Sequence, residues 1–236
     1  MARRALLLST SKVYGSGYLG YCDAEMRSFL RGVERLLFVP FARPSGMSHE
    51  HYTGVARERF AGLDISVAGL HEAEDARRAV HEAEAIFIGG GNTFVLLRDL
   101  HAAGVIDEIR QQADEGMPYM GASAGSNMAG LSICTTNDMP IVYPPSFDAL
   151  GLVPFNINPH YIDPRAGSKH MGETRETRIN EFHVFNDVPV IGIREGAMLH
   201  REGDSLRLEG SGGGRLFRPG SEAEELAPGA VLDSLL

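Results

Sequence analysis

Residues 85–97, AIFIGGGNTFVLL, carry the reading that decides the fold. Four apolar residues run without a break, three glycines and an asparagine follow, and apolar residues then resume at helical spacing. An unbroken apolar run of that length reads as a strand buried on both faces. The glycine turn and the helix behind it make a strand–turn–helix unit. Upstream the pattern recurs: residues 5–8 (ALLL), 36–40 (LLFVP) and 65–68 (ISVA) read as further buried strands. Helical segments are expected at 24–35, 48–61 and 73–82, with Ser48 as an N-cap and Glu50 and His51 in the first turn. Alternating strands and helices predict an α/β fold: a doubly wound, mostly parallel sheet with helices on both faces.

Downstream, two more helical stretches lead to a short strand at 118–121 and then to GASAGSN, residues 121–127. A helix is expected over 126–131. Residues 135–159 hold five of the 12 prolines and predict a long loop with short extended pieces. A helix over 173–185 and a buried strand over 188–193 (VPVIGI) follow. From residue 197 apolar and polar residues alternate across Gly and Asp turns, which predicts a small antiparallel β meander at the C-terminus. With no repeat or linker, residues 1–236 read as one catalytic domain.

Composition narrows the function classes. The chain has 236 residues, 43% hydrophobic and 22% charged, enough for one sizeable core. A formal charge of −9 argues against a nucleic-acid surface, and an acidic ligand would need a local cation. The start, MARRALLLSTSKVYG, is too briefly apolar for a secretory signal, and no stretch has the length of a membrane span. Cys22 and Cys134 lie far apart without metal-type spacing, so a reducing, cytoplasmic location is expected. Neither a zinc motif nor a cofactor motif is present, and no metal or cofactor is expected.

In an open α/β sheet, ligands bind at the carboxyl ends of the strands. Gly-x-Ser-x-Gly at 121–125 would place Ser123 on a sharp strand-to-helix turn with its hydroxyl open to a ligand. The Gly89–Gly90–Gly91–Asn92 turn lacks a Walker lysine and the dinucleotide-binding spacing, which leaves a plain tight turn or half an oxyanion hole. The N–H of Ala124, just after the serine, would complete that hole. A serine nucleophile needs a base and the base an orienting acid. His160 ends the strand-like VPFNINPH and stands apart from His49, His51, His81 and His101, which fall on helical patterns. Glu195 follows VPVIGI by two residues. Asp138, in TTNDMP, is the rival acid. The order Ser, His, acid is not that of an ordinary α/β-hydrolase.

Taken together, GGGNTFVLL, GASAGSN, TTNDMPIV, FDALGLVPFNINPHY, GETRETRI and VIGIREG, in this order, resemble the peptidase E family of α-aspartyl dipeptidases. The resemblance runs from the first strand to about Glu195 and is weaker over residues 9–26 and after His200. It implies a fold similar to class I glutamine amidotransferases, with serine in place of the nucleophilic cysteine. It also implies hydrolysis of Asp-X dipeptides through an acyl-enzyme, with Ser123 as nucleophile, His160 as base, Glu195 (or Asp138) as acid, and Gly91 and Ala124 as oxyanion donors. Arg175 matches the arginine that holds the aspartyl carboxylate; read without the family, it belongs to a solvated charged helix face. The substrate amine wants an acceptor, for which Asn92, Asp138 and Glu173 are candidates. The partners expected are a small acidic dipeptide and, at most, a second copy of the chain in a homodimer. The rival functions are a cyanophycinase-like hydrolase of β-aspartyl peptides and a non-catalytic binder of small acidic amino acids.

Overall fold

The computed structural model describes residues 2–164, 167 and 172–236. Strands β1 (Arg4–Leu8), β2 (Arg35–Val39), β3 (Ser66–Gly69), β4 (Ala85–Ile88) and β5 (Tyr119–Ala122) pair in parallel in the order β3-β2-β4-β5-β1. Every residue of β4 and β5 is buried, as unbroken apolar runs require. Side chains alternate between the two faces. Leu6, Leu8, Phe38, Phe87 and Met120 meet Met26 and Phe29 of α1 (Asp23–Phe29) and Tyr52 and Phe60 of α2 (His49–Ala61). On the other face, Leu7, Val39, Ile86 and Ile88 meet Val80 of α3 (Ala76–His81), Leu96, Leu97 and Leu100 of α4 (Thr93–Ala102) and Ile109 of α5 (Ile106–Asp114). Each such fully buried Leu, Ile or Phe is worth about 1.5–3 kcal/mol of transfer free energy.

Several predicted helices are shorter than their periodicity suggested. The one expected at 24–35 ends as α1 at Phe29, and Gly32 at φ +84° turns the chain into β2. Over 126–131 only α6 (Ala124–Asn127) is regular; Ala129 and Gly130 then donate to carbonyls three residues back. The helix predicted over 173–185 is α7 (Arg175–Phe182), begun by the Thr174 side chain accepting from Thr177 N at 3.0 Å.

The larger difference concerns the second half. Strands β6 (Asn156–Pro159) and β7 (Val190–Ile193) do not extend the first sheet; they pair in parallel with each other in a second one, ordered β11-β10-β7-β6. The expected meander is divided as well. β8 (Ala197–Glu202) and β9 (Ser205–Gly210) extend the first sheet antiparallel beyond β1, whereas β10 (Gly214–Phe217) and β11 (Glu224–Leu226) join the second. Ile157, Ile191, Ile193, Leu216 and Leu226 share the main core with α4 and α5. Val190 and Phe217 on the opposite face pack with Tyr161 and Ile179 of α7. Hydrophobic runs alone do not say which sheet a strand enters; burial on both faces is satisfied either way. The first and second sheets therefore bring the ends of β1, β4, β5, β6 and β7 together.

Candidate active site

β5 runs directly into Ser123 and α6 leads directly out of it. Ser123 sits at φ +54° and ψ −107°, a conformation that costs a non-glycine residue about 1–3 kcal/mol and collects at functional sites. Its flanking glycines are required by contact. A Cβ on Gly121 would lie 2.5 Å from the Gly125 carbonyl oxygen, and one on Gly125 would lie 2.1 Å from the Ile88 oxygen. Ser123 N donates to Leu8 O at 3.0 Å, and Ser126 Oγ reaches Leu8 O at 2.7 Å and Gly121 O at 2.9 Å. The turn is thus tied to the ends of both β1 and β5.

The glycine loop after β4 lies beside it. A Cβ on Gly90 would be 3.1 Å from Ser123 Cβ, and one on Gly91, at φ +151°, would collide with Ala42 O at 2.0 Å. Gly90 N donates to the buried Tyr52 hydroxyl at 3.0 Å, and Asn92 N donates to Ala42 O at 2.7 Å. The N–H groups of Gly91 and Ala124 have no acceptor among the described residues. Both donors belong to turns that meet at Ser123.

β6 ends at Pro159, and His160 follows with φ +53°. Its N–H donates to Ser9 Oγ at 2.9 Å, and that hydroxyl donates to Ile193 O at 2.9 Å. His160 Nε2 hydrogen-bonds Ser123 Oγ at 3.0 Å, while Nδ1 hydrogen-bonds Glu195 Oε1 at 2.9 Å. Glu195 is 57% exposed and His160 37%, so the pair lies at the mouth of the site. Arg194 does not compete for Glu195. It holds Asp163 at 2.7 and 2.9 Å and Glu225 at 2.6 and 2.9 Å. Those two carboxylates raise its pKa, and its guanidinium holds both of them below the usual carboxylate range.

The rival acid is elsewhere. Asp138 Oδ2 accepts from Thr93 N at 2.7 Å, Thr93 Oγ1 at 2.6 Å and Thr136 Oγ1 at 3.2 Å, and makes no bond to His160. Asn92, expected on the substrate, makes a hydrogen bond within the protein at each end of its amide. Oδ1 accepts from Val95 N at 3.1 Å as the N-cap of α4, and Nδ2 donates to Met139 O at 2.9 Å. Arg175, the first residue of α7, is half-buried and makes no ion pair among the described residues. Burial lowers its pKa, the nearby Arg178 adds to that, and Asp138 opposes it. Glu173 is exposed and lies 3.5 Å from Arg178.

The strand–elbow–helix order, the second sheet and this three-residue relay can be set beside known proteins. The model of peptidase family S51 matches residues 5–209. The chain belongs to that family. A Drosophila melanogaster protein named probable alpha-aspartyl dipeptidase is 48% identical over 238 residues, covering 100% of this chain and 98% of its own. Peptidase E of Streptomyces coelicolor is 51% identical over 231 residues, 98% of this chain and 94% of that one. Among solved structures, a peptidase from an acI-B1 actinobacterium aligns with a TM-score of 0.74 at 18% identity, covering 98% and 97% of the two chains. A putative peptidase E from Listeria monocytogenes gives 0.69 at 20% identity, covering 89% and 99%. These two share the fold, and membership of S51 makes the chain a peptidase hydrolase.

Sequence reasoning passed over Ser9, whose buried hydroxyl joins the ends of β1, β6 and β7. The signal was present: Ser9 directly follows ALLL, the same strand-end position that singled out His160. Tyr18 and Tyr21 lie against the core beside α1 and α2, and Tyr14 is fully exposed. Glu50, His71 and Glu72 bring ligand atoms within 4.8 Å of one another. Arg57 already supplies a cation there, 2.6 Å from Glu72 and 3.7 Å from Glu50. No helix among the described residues is long and apolar enough to cross a membrane. His170 lies outside the described residues.

Proposed function

We propose that the chain is a serine dipeptidase that hydrolyses Asp-X dipeptides through an acyl-enzyme intermediate. The observation that carries this reading is the relay from Ser123 Oγ through the His160 ring to Glu195 at 3.0 and 2.9 Å. His160 Nε2 takes the Ser123 proton as Oγ bonds to the Asp-X carbonyl carbon. The oxyanion forms between the Gly91 and Ala124 N–H groups, each such donor being worth about 3 kcal/mol. His160 returns the proton to the amine of residue X as the C–N bond breaks. Water then attacks the acyl-enzyme with His160 as base, releasing aspartate and regenerating Ser123. Glu195 holds the ring and stabilises the imidazolium formed in each half.

Selectivity for aspartate rests on Arg175. A half-buried guanidinium with no described carboxylate partner has five donors to offer, in a fork that fits a carboxylate. In a protein of charge −9 such a local cation is what an acidic substrate needs. The relatives named peptidase E and probable alpha-aspartyl dipeptidase support the same substrate class. We place the reaction in the cytoplasm, in keeping with two unpaired cysteines.

The test compares Asp-Leu, β-Asp-Leu, Asn-Leu and Leu-Leu with the native protein and Ser123→Ala. Cleavage of Asp-Leu alone, abolished in the variant, is expected. Cleavage of only the β-linked peptide would replace the reading with a β-aspartyl hydrolase. Cleavage of none would leave a binder of acidic amino acids.

A further inference from the structure

Arg215 stands within β10 of the second sheet, and the relay does not use it. Its Cα is paired with Gly192 of β7 on one side and with Glu225 of β11 on the other. Directly paired residues share one face of a sheet, here the face that carries Tyr161 and α7. A Cβ on Gly192 would lie 2.6 Å from the Tyr161 ring. Val190 and Phe217, each two residues along its strand on the same face, pack with Ile179 of α7. The Arg215 side chain is 21% exposed; its guanidinium donates to Glu176 Oε2 at 2.7 Å and reaches the Tyr161 hydroxyl at 3.5 Å. Its Nε lies 3.9 Å from Glu225, the carboxylate that also holds Arg194.

Each of these contacts ends beside a residue of the candidate site. Tyr161 follows His160, Glu176 follows Arg175, and Arg194 precedes Glu195. A row of alternating charge, Asp163–Arg194–Glu225–Arg215–Glu176, thus crosses the second sheet to the first turn of α7. That turn is where anchoring is scarce. The first N–H groups of a helix have no acceptor within it, and helix ends fray. The Thr174 cap accepts from Thr177 N, a bond within the turn itself. Ile179, one turn further on, is the buried residue of α7. Among the described residues, the side-chain bond that joins the first turn to the sheet is the one from Arg215 to Glu176. Arg175 lies in the same turn, and a guanidinium reads a carboxylate through a planar fork whose direction has to be set.

We propose that Arg215 is a positioning residue for substrate recognition: by gripping Glu176 it sets the first turn of α7, and with it the direction of Arg175, against the sheet whose strands lead to His160 and Glu195. This rests on the Asp-X reading above, in which Arg175 holds the aspartyl carboxylate.

The test measures kcat and KM for Asp-Leu in Arg215→Met, Arg215→Lys, Arg175→Leu and the double variant carrying both Arg175→Leu and Arg215→Met. Arg215→Met is expected to raise KM at least fivefold with kcat within twofold of native. Arg215→Lys should keep KM within twofold of native, because one N–H makes the bond to Glu176 and an ammonium can replace it. In the double variant, the loss of Arg215 should add less than twofold to the KM of Arg175→Leu, since its effect passes through Arg175. A merely structural role would lower kcat as well and act with equal force in both backgrounds. If Arg215→Met leaves KM unchanged, or raises it by the same factor with and without Arg175, the inference is wrong and the Asp-X reading stands. If Arg175→Leu itself leaves KM unchanged, the role of Arg175 falls first and the inference with it. Should Arg215→Met fail to fold, Glu176→Gln weakens the same pair from its other side. The same rise in KM is then expected, and an unchanged KM overturns the proposal.

Discussion

Replacing Glu195 by Gln should cost this enzyme far less than loss of a buried triad acid. The change keeps the size of the side chain and removes the charge that faces His160 Nδ1 at 2.9 Å. Glu195 is 57% exposed, so water can take over part of its role, and the pair works in a medium that screens it. A hydrogen bond to a charged group is worth about 1.5–3 kcal/mol. At ~1.4 kcal/mol per decade that becomes a loss of roughly 10- to 150-fold in kcat. A buried, unsolvated triad aspartate is worth about 10⁴-fold by comparison. Orientation of His160 should survive, because its backbone at φ +53° is held through Ser9 and not through Glu195. Initial rates of leucine release from saturating Asp-Leu, with KM measured alongside, decide the matter. A loss near 10⁴-fold would show that the carboxylate acts in a closed, dry site. A loss below threefold would show that Glu195 is not the acid at all.

Three further results are expected. Arg175→Leu should raise KM for Asp-Leu by at least tenfold while kcat changes less, and a variant with unchanged KM would remove Arg175 from substrate recognition. Ser9→Ala leaves the His160 N–H unpaired, at about 1–3 kcal/mol, while the Ile193 carbonyl keeps the Tyr161 N–H. Native enzyme and variant compared by thermal unfolding should differ by roughly 2–12 °C in Tm, and a shift under about 1 °C would contradict the buried bridge. Burial, aided by Glu25 and opposed by Arg59, pushes the Cys22 thiol up to about 12. A raised native pKa favours folding fully below the unfolded thiol's value near 8.5 and progressively less above it. Between about pH 8.5 and 10 the urea-unfolding free energy should therefore fall by up to ~1.4 kcal/mol per pH unit, and Cys22→Ala should remove that slope. An identical slope in the variant would assign it to other groups.

The parts of the site legible in sequence are those set by local chemistry. Gly121 and Gly125 mark the elbow because contacts of 2.5 and 2.1 Å exclude any side chain there. Ser123, His160 and Glu195 stand out in the sequence because each follows a run of apolar residues, and strand ends of one polarity gather at one edge. Choosing between Glu195 and Asp138 was beyond such reasoning. Both lie on strand-end or loop positions in motifs of the same family, and only the pairing of β6 with β7 sets Glu195 opposite the His160 ring. Nor could the sequence show that Asn92, a polar side chain beside a glycine turn, caps α4 and reaches the Met139 carbonyl.

By itself the sequence determined the alternating strands and helices, the two faces of the first sheet and the strained serine turn. Each follows from side-chain period, burial and steric limits within a few residues of chain. Tertiary structure alone decided that β6 and β7 leave the first sheet, that the tail is shared between the two sheets, and that Ser9 closes their junction. Those outcomes depend on hydrogen bonds between residues as far as 184 positions apart, and nothing local distinguishes one buried partner strand from another.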